Sequence, residues 1–197
     1  MVKKIKRKSV NYFREASSYV YNSKNYIFFV AGLFLFFLLI ALLLPAPEIL
    51  AEQIKQLITQ LAEKTLGLNT LEMILFILQN NILVSLIGLL FGFILGIVPF
   101  ILAISNGYVL GYVFKLVISV DGASSLWKIL LYGIFEIPAV FISLGLGIKL
   151  GTSLFAKNSV EEFFRRLVLS LKVFVFVVVP LLIIAAVIEG ILIGVVG

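Results

Sequence analysis

The sequence predicts an all-α protein: a polytopic membrane helix bundle of about five spans, with an outer amphipathic helix and an inner interfacial helix. Hydrophobic residues make up 62% of the 197 residues and the mean hydropathy is +1.19, whereas soluble domains average roughly 45–50% apolar residues. The apolar runs are unbroken for about 20 residues, which is the length of a membrane-crossing helix, and do not alternate like the strands of a β-barrel. These observations predict an integral membrane protein.

Four long apolar runs and one short run are the predicted spans. They are residues 26–44, 75–103, 107–120, 127–150 and 173–196. The first is expected to be a retained span, because it exceeds the apolar part of a signal peptide. The third is short, and it is expected to cross because only then do the two Lys/Arg-rich segments lie on one side of the membrane.

The basic residues predict the orientation. Seven Lys or Arg precede residue 26 and five lie within 149–172, against two between the first and second spans. The positive-inside rule predicts a cell-membrane protein with a cytoplasmic N-terminus and an external C-terminus. We expect a basic cytoplasmic segment, 1–25, followed by a single transmembrane domain, 26–197. The net charge of +6 lies at the ends of apolar runs, which favours anionic lipid headgroups as partners and not nucleic acid.

Two connecting segments are predicted to be helical. The outer connector, 48–66, places apolar residues on one helical stripe, which is typical of a surface amphipathic helix. On the inner side, Ser159 and Glu162 have the spacing of a capping box, which predicts an interfacial helix leading into the fifth span.

The absence of cysteine and histidine from the sequence excludes several chemistries. Cys/His zinc sites, thiol nucleophiles and Ser-His-Asp catalysis all need these residues. No other nucleophile motif is present, so we predict that the protein is not an enzyme.

Two glutamates, Glu136 and Glu189, fall within predicted spans. A charged side chain at mid-bilayer costs roughly 2.5–3.5 kcal/mol, so each should face the bundle and have a partner. Each lies about eight residues, or about 12 Å, from the predicted outer face. Three alternatives follow: a protonated glutamate hydrogen-bonded to a neighbouring helix, a divalent cation such as Mg²⁺, Ca²⁺ or Mn²⁺ held by oxygen ligands, or a proton or ion relay.

Other polar residues within the spans are candidate partners. Asn80 and Asn81 are placed near the outer start of the second span, where their oxygens would add cation ligands. Asn106 lies in a predicted tight link, Ser-Asn-Gly at 105–107, with left-handed geometry and a hydrogen bond to the backbone. Lys115 is the candidate countercharge for the carboxylates.

Small residues mark the expected helix contacts. Glycines recur at the four-residue spacing that permits close helix approach: Gly88, Gly92 and Gly96, then Gly107 and Gly111, then Gly147 and Gly151. These faces favour a homodimer. Pro99 is expected to bend or end the second span, and Pro138 to bend the fourth by freeing a carbonyl beside Glu136.

The ordered set of motifs over about residues 75–194 resembles the stage II sporulation protein M family. The pieces are Asn-Asn at 80–81, the glycine-rich helix through Pro99, NGYVLG at 106–111, GIFEIPA at 133–139, LGLGIKLG at 144–151 and AAVIEG at 185–190. Where many relatives carry Pro-His-Gly, this chain has Leu-Tyr-Gly at 131–133, which removes the family's imidazole.

The resemblance implies a membrane component of a cell-envelope assembly. The family's named member belongs to an engulfment complex that holds peptidoglycan-degrading enzymes at the septum. Relatives also occur in organisms without spores, which implies a more general scaffold or a transport role. We therefore predict a non-enzymatic scaffold or assembly component that contacts other membrane or cell-envelope proteins, its intramembrane carboxylates binding a proton or divalent cation. The alternative is an ion or small-solute transporter using Glu136 and Glu189.

Overall fold

A computed structural model of the protein describes residues 14–196. The described residues are almost entirely helical and contain no strand, which confirms the predicted all-α class. The first thirteen residues of the predicted basic segment 1–25 lie outside the described residues.

Eight helices follow one another along the described chain. They are α1 (14–21), α2 (Lys24–Leu43), α3 (Glu48–Thr65), α4 (Thr70–Leu90), α5 (Ile97–Asp121), α6 (Leu126–Gly151), α7 (Ser159–Val173) and α8 (Val179–Val196). Short 3₁₀ turns extend α4 and α6 or precede α6, and a wider π-helical turn, Phe174–Val178, joins α7 to α8.

Five helical stretches are long and apolar enough to cross a membrane, which confirms the predicted number of spans. They are Lys24–Leu43, Thr70–Phe93, Ile97–Asp121, Ala123–Phe155 and Ser159–Gly194. The last combines the amphipathic α7 with the strongly apolar α8.

The boundary between the second and third spans was predicted at the wrong place. The chain turns at Leu95 and Gly96, both in left-handed geometry with φ of 52° and 74°, while residues 105–107 lie inside α5. The third span is therefore not short: its 25 residues extend about 37 Å, enough to cross a core of ~30 Å. Pro99 neither bends nor ends the second span. It lies in the first turn of α5, where its missing N–H leaves no helical hydrogen bond unmade.

The glycine faces are contact surfaces within this chain. A Cβ added at Gly92 would overlap the backbone of Gly147, so α4 and α6 touch at that point. A Cβ at Gly107 or Gly111 would overlap a backbone carbonyl of α2, from Phe34 or Leu38. These glycines join α4 to α6 and α5 to α2, so they no longer favour a homodimer, which stays a prediction without their support.

One end of the bundle gathers basic residues from α2, α6 and α7. The ammonium of Lys149 donates to Ser23 Oγ (2.8 Å), and the guanidinium of Arg166 donates to the Lys149 carbonyl (2.6 Å) and to Thr152 Oγ1 (2.7 Å). The positive-inside rule would place this basic end in the cytoplasm. The opposite end carries α3, and we call it the α3 end.

The predicted capping box at α7 is wrong, and a real one is present at α4. Asn158, not Ser159, precedes α7 and makes no side-chain cap; the Glu162 carboxylate instead pairs with Arg165 and Arg166 at 2.7 and 2.6 Å. At α4, the Asn69 side chain accepts from the backbone N–H of Glu72, whose carboxylate accepts from the N–H of Asn69 (3.1 and 2.9 Å). The Glu162 carboxylate binds these two guanidinium groups, which explains why it does not accept a capping hydrogen bond at the start of α7.

Candidate functional site

A cavity of about 540 Å³ lies inside the bundle towards the α3 end. Residues from α2, α3, α4, α5, α6 and α8 line it, and most of their side chains are apolar. Its volume is within the range of about 300–1,000 Å³ typical of small-molecule sites.

Glu136 and Glu189 both line this cavity, one from α6 and one from α8. Glu136 lies ten residues after Leu126, about 15 Å along α6, and Glu189 lies seven before Val196, about 10 Å along α8. The two helices that carry them, α6 and α8, pack directly against each other. The two carboxylates occupy the same half of the bundle, within about one helical turn of each other.

Neither carboxylate has a partner among the residues that the structure describes. No hydrogen bond or ion pair reaches Glu136 or Glu189 from residues 14–196, whereas Glu15, Glu72 and Glu162 all accept one. The three predicted alternatives, a hydrogen-bonded protonated glutamate, a bound divalent cation and a proton or ion relay, therefore stay predictions. The two carboxylates line a cavity in which a proton, a cation or water would have to compensate their charge.

Three asparagines line the same cavity, two from α4 and one from α5: Asn80, Asn81 and Asn106. Asn80 and Asn81 lie in the middle of α4, which begins at Thr70, and not at its outer start as predicted. Asn106 is helical, so its predicted left-handed link is wrong, but its Nδ2 does donate to a backbone carbonyl, that of Leu102, at 2.8 Å. The three amides bring neutral oxygen acceptors to the walls around the carboxylates.

Lys115 is not the countercharge of the carboxylates. Its ammonium donates to the carbonyl of Leu44 at 2.8 Å, at the C-terminal end of α2. A lysine in that position satisfies a free carbonyl and interacts favourably with the helix dipole. The sequence indicates that Lys115 lies at a depth in the membrane similar to that of the two glutamates. Which neighbouring helix its side chain faces depends on tertiary packing.

Aromatic side chains form much of the cavity wall, and the sequence analysis did not single them out. They are Phe34 of α2, Phe76 of α4, Phe114 of α5 and Tyr132 of α6. Tyr132 lies on the same helix as Glu136 and lines the same cavity as both glutamates. It precedes Glu136 by four residues, a spacing that puts two side chains on one helix face, so this residue could have been found from sequence.

Pro138 lies inside an unbroken α6, two residues after Glu136. Because proline has no N–H, the carbonyl of Ile134 lacks its usual intrahelical partner. Gly133, which lines the cavity, adds open space beside it, since a Cβ there would meet only the Ile137 side chain, at 3.4 Å or more. This part of α6 therefore combines the Glu136 carboxylate, the Ile134 carbonyl without its helical hydrogen bond, and Gly133, which has no side chain.

The amphipathic helix α3 covers the cavity. Ile58, Leu61 and Ala62 line it from above, while Ile54 packs with Ala41 and Tyr112. Apart from a few residue pairs, the α3 backbone stays more than 8 Å, Cα to Cα, from the other helices. The cover is held by side chains and not by close backbone packing.

Towards the basic end the bundle is tightly packed. Val30, Ala103 and Leu144 are fully buried against one another, and the buried hydroxyl of Ser143 donates to the carbonyl of Ser85 at 2.7 Å. These contacts close the bundle beneath the cavity. The site is therefore reached from the α3 half, where Leu61, Asn80 and Leu130 line it and are also exposed at the surface.

A metal centre built only from protein side chains is not evident. Within residues 14–196, no group of three or more His, Cys, Asp or Glu side chains could hold a metal ion. A divalent ion between Glu136 and Glu189 would have to complete its shell with amide oxygens and water, since Mg²⁺ and Ca²⁺ take six or more oxygen ligands.

Comparison with known families identifies a match over most of the chain. The family model described as Stage II sporulation protein M matches residues 26–192, which include both glutamates and, except for two residues at each end, all five spans. No curated protein and no solved structure matches the chain.

Proposed function

We propose a function for this chain, which belongs to the stage II sporulation protein M family, from the residues that line its cavity. Membership of the family identifies a membrane protein but not the molecule that it binds. The protein is a non-enzymatic integral membrane protein that binds a cation between Glu136 and Glu189 and carries it across the bilayer. The single observation behind this proposal is that two glutamates from different helices line one cavity without a protein partner.

Electrostatics supports a cation as the ligand. Two carboxylates in a low-dielectric site repel each other, and neither has a nearby Lys or Arg to neutralise it, since Lys115 is held by Leu44. A proton or cation shared between them removes that repulsion. The amides of Asn81 and Asn106 supply neutral oxygens for the remaining contacts.

The packing of the helices favours transport of the cation across the membrane over binding alone. The cavity lies under a loosely packed helix, α3, and above a closely packed half of the bundle. Alternating access requires one such closed side and one coverable side. Two backbone features that could accommodate the change lie in the basic half of the bundle: the π-helical turn Phe174–Val178 before α8 and the left-handed pair Leu95 and Gly96 before α5.

Ion flux in liposomes tests this proposal. The full chain is reconstituted with a pH-sensitive dye inside the vesicles, and cation-dependent proton movement is followed after addition of monovalent or divalent metal salts, or of tetraethylammonium or benzyltrimethylammonium chloride. Flux above that of empty vesicles, abolished by Glu136→Gln and by Glu189→Gln, is the expected result. The control Glu63→Gln changes an exposed carboxylate of α3 outside the cavity and should leave flux unchanged. Absence of cation-dependent flux from the unaltered chain would overturn the transport role.

A scaffold role is the second candidate, and the ordered basic end favours it. Arg165 remains 58% exposed while its guanidinium is fixed on Glu162, so this end presents a defined charged surface to other proteins. Under this role, Glu136→Gln would leave flux at the background level and change the recovery of assembled complexes. The unpartnered carboxylates are the reason that we rank this role second.

A further inference from the structure

We infer that the cavity takes a small organic cation with an apolar body, of the arylalkylammonium or alkylammonium class, and not a bare metal ion. This inference rests on the proposed cation site and names the class of its ligand. Three features of the cavity support it together: the volume, the aromatic lining and the two carboxylates.

The size of the cavity exceeds what a metal ion needs. A volume of about 540 Å³ compares with about 30 Å³ per water molecule in the liquid. A metal ion bound to Glu136 and Glu189 would leave most of this space to water, against walls that are largely apolar. A ligand with its own apolar body removes that wall surface from water, at about 25 cal/mol per Å².

The walls match an organic cation. Four aromatic rings reach the cavity from four helices, those of Phe34, Phe76, Phe114 and Tyr132. Aromatic faces attract ammonium groups through cation–π interactions and pack well against apolar ligand bodies. A strongly hydrated divalent ion gains little from such rings.

The charge of the cavity selects against anions and neutral molecules. Glu136 and Glu189 line it, and no Lys or Arg of the described residues does. An ammonium group with two or three N–H donors can bind both carboxylates at once, through charge-assisted hydrogen bonds that are roughly twice as strong as neutral ones. An uncharged ligand of the same shape would leave both carboxylates unpaired.

Binding to the purified full chain in lipid nanodiscs tests this inference. The probes are tetramethylammonium, tetraethylammonium, benzyltrimethylammonium and 2-phenylethylammonium, with 2-phenylethanol as a neutral analogue and Mn²⁺ as the metal, each measured by isothermal titration calorimetry. We expect at least one aromatic ammonium to bind tenfold or more tightly than 2-phenylethanol. Glu136→Gln and Glu189→Gln should each weaken it at least tenfold, and the control Glu63→Gln should not.

A cavity-filling variant separates an organic ligand from a metal. Gly133→Leu adds a side chain at a position that lines the cavity, where a Cβ meets only the Ile137 side chain, while both carboxylates are retained; leucine is also the better helix former. We expect ammonium binding to fall at least tenfold in this variant. Gel filtration and thermal unfolding confirm that each variant is folded.

The outcomes are distinct for the two proposals. Binding of Mn²⁺ that depends on both glutamates and survives Gly133→Leu, with no ammonium bound, would overturn the organic-cation inference and leave the cation site standing. Ammonium binding equal to that of 2-phenylethanol, or unchanged by both glutamine variants, would also overturn it. Failure of every probe, together with absent flux, would overturn both proposals.

Discussion

Glu136 on α6 and Glu189 on α8 line the same cavity, although 53 positions separate them in the sequence and no protein group hydrogen-bonds either carboxylate among the residues described. Two helices that pack directly against each other, α6 and α8, bring them together. A buried polar group without a partner is costly, and a carboxylate more so.

The glycine contact between α4 and α6 should be sensitive to a single methyl group. Gly92→Ala places a Cβ against the Gly147 backbone, which cannot move aside as a side chain would, so we expect a loss of about 1–3 kcal/mol in stability. Unfolding in mixed micelles with increasing SDS measures it. The matched control is Gly32→Ala in α2, where a Cβ meets nothing within 4 Å. Equal stability of the two variants would show that α4 and α6 do not touch at Gly92.

Lys115 should contribute to stability and not to the cavity. Lys115→Met removes the hydrogen bond to the Leu44 carbonyl while keeping a long apolar stem, so we expect a loss of about 0.3–1 kcal/mol. Binding of ammonium probes should be unchanged, because the ammonium of Lys115 is directed to α2. A tenfold change in probe affinity would restore Lys115 as a countercharge.

Two adjacent arginines of α7 should differ in importance. The Arg166 side chain is only 16% exposed and joins Glu162 to the Lys149 carbonyl and Thr152, whereas that of Arg165 is 58% exposed and, within residues 14–196, hydrogen-bonds only Glu162. We expect Arg166→Met to cost about 1–3 kcal/mol, since it removes three hydrogen bonds of a mostly buried guanidinium, to Glu162, the Lys149 carbonyl and Thr152. Arg165→Met should cost no more than about 1 kcal/mol. Unfolding curves of the two variants in the same detergent decide the order, and the reverse order would contradict the structure.

The capping box at α4 should be energetically detectable. Asn69→Ala removes the acceptor for two backbone N–H groups, those of Leu71 and Glu72, with an expected cost of about 1 kcal/mol. Asn158→Ala is the control, because Asn158 precedes α7 without a side-chain cap bond. A larger loss from Asn158→Ala than from Asn69→Ala would show that the caps are assigned to the wrong helices.

The sequence was informative where a property depends on composition over a whole helix. The five spans follow from long apolar runs, and the amphipathic α3 follows from its stripe of apolar residues. It was less informative at the turn before α5. Pro99 can end one helix or open the next, and Leu95 adopts positive φ although leucine carries no local signal for that geometry.

The residues of the candidate site could be predicted from the sequence, but their arrangement around a cavity could not. The cost of a carboxylate in a span singles out Glu136 and Glu189, and the amide residues follow from the same reasoning. The cavity itself depends on how six helices pack, which no single segment encodes. The four-residue glycine spacing identified contact faces, but a partner within the chain and a partner in a second copy produce the same pattern, so only the structure assigns Gly107 to α2.

The most direct measurement is an experimental density map of the full chain with 2-(4-bromophenyl)ethylammonium, with the bromine located by anomalous scattering. We expect a bromine peak among the aromatic walls, with the ammonium group between the Glu136 and Glu189 carboxylates. An empty cavity at saturating probe, or carboxylates directed towards lipid and away from each other, would contradict it.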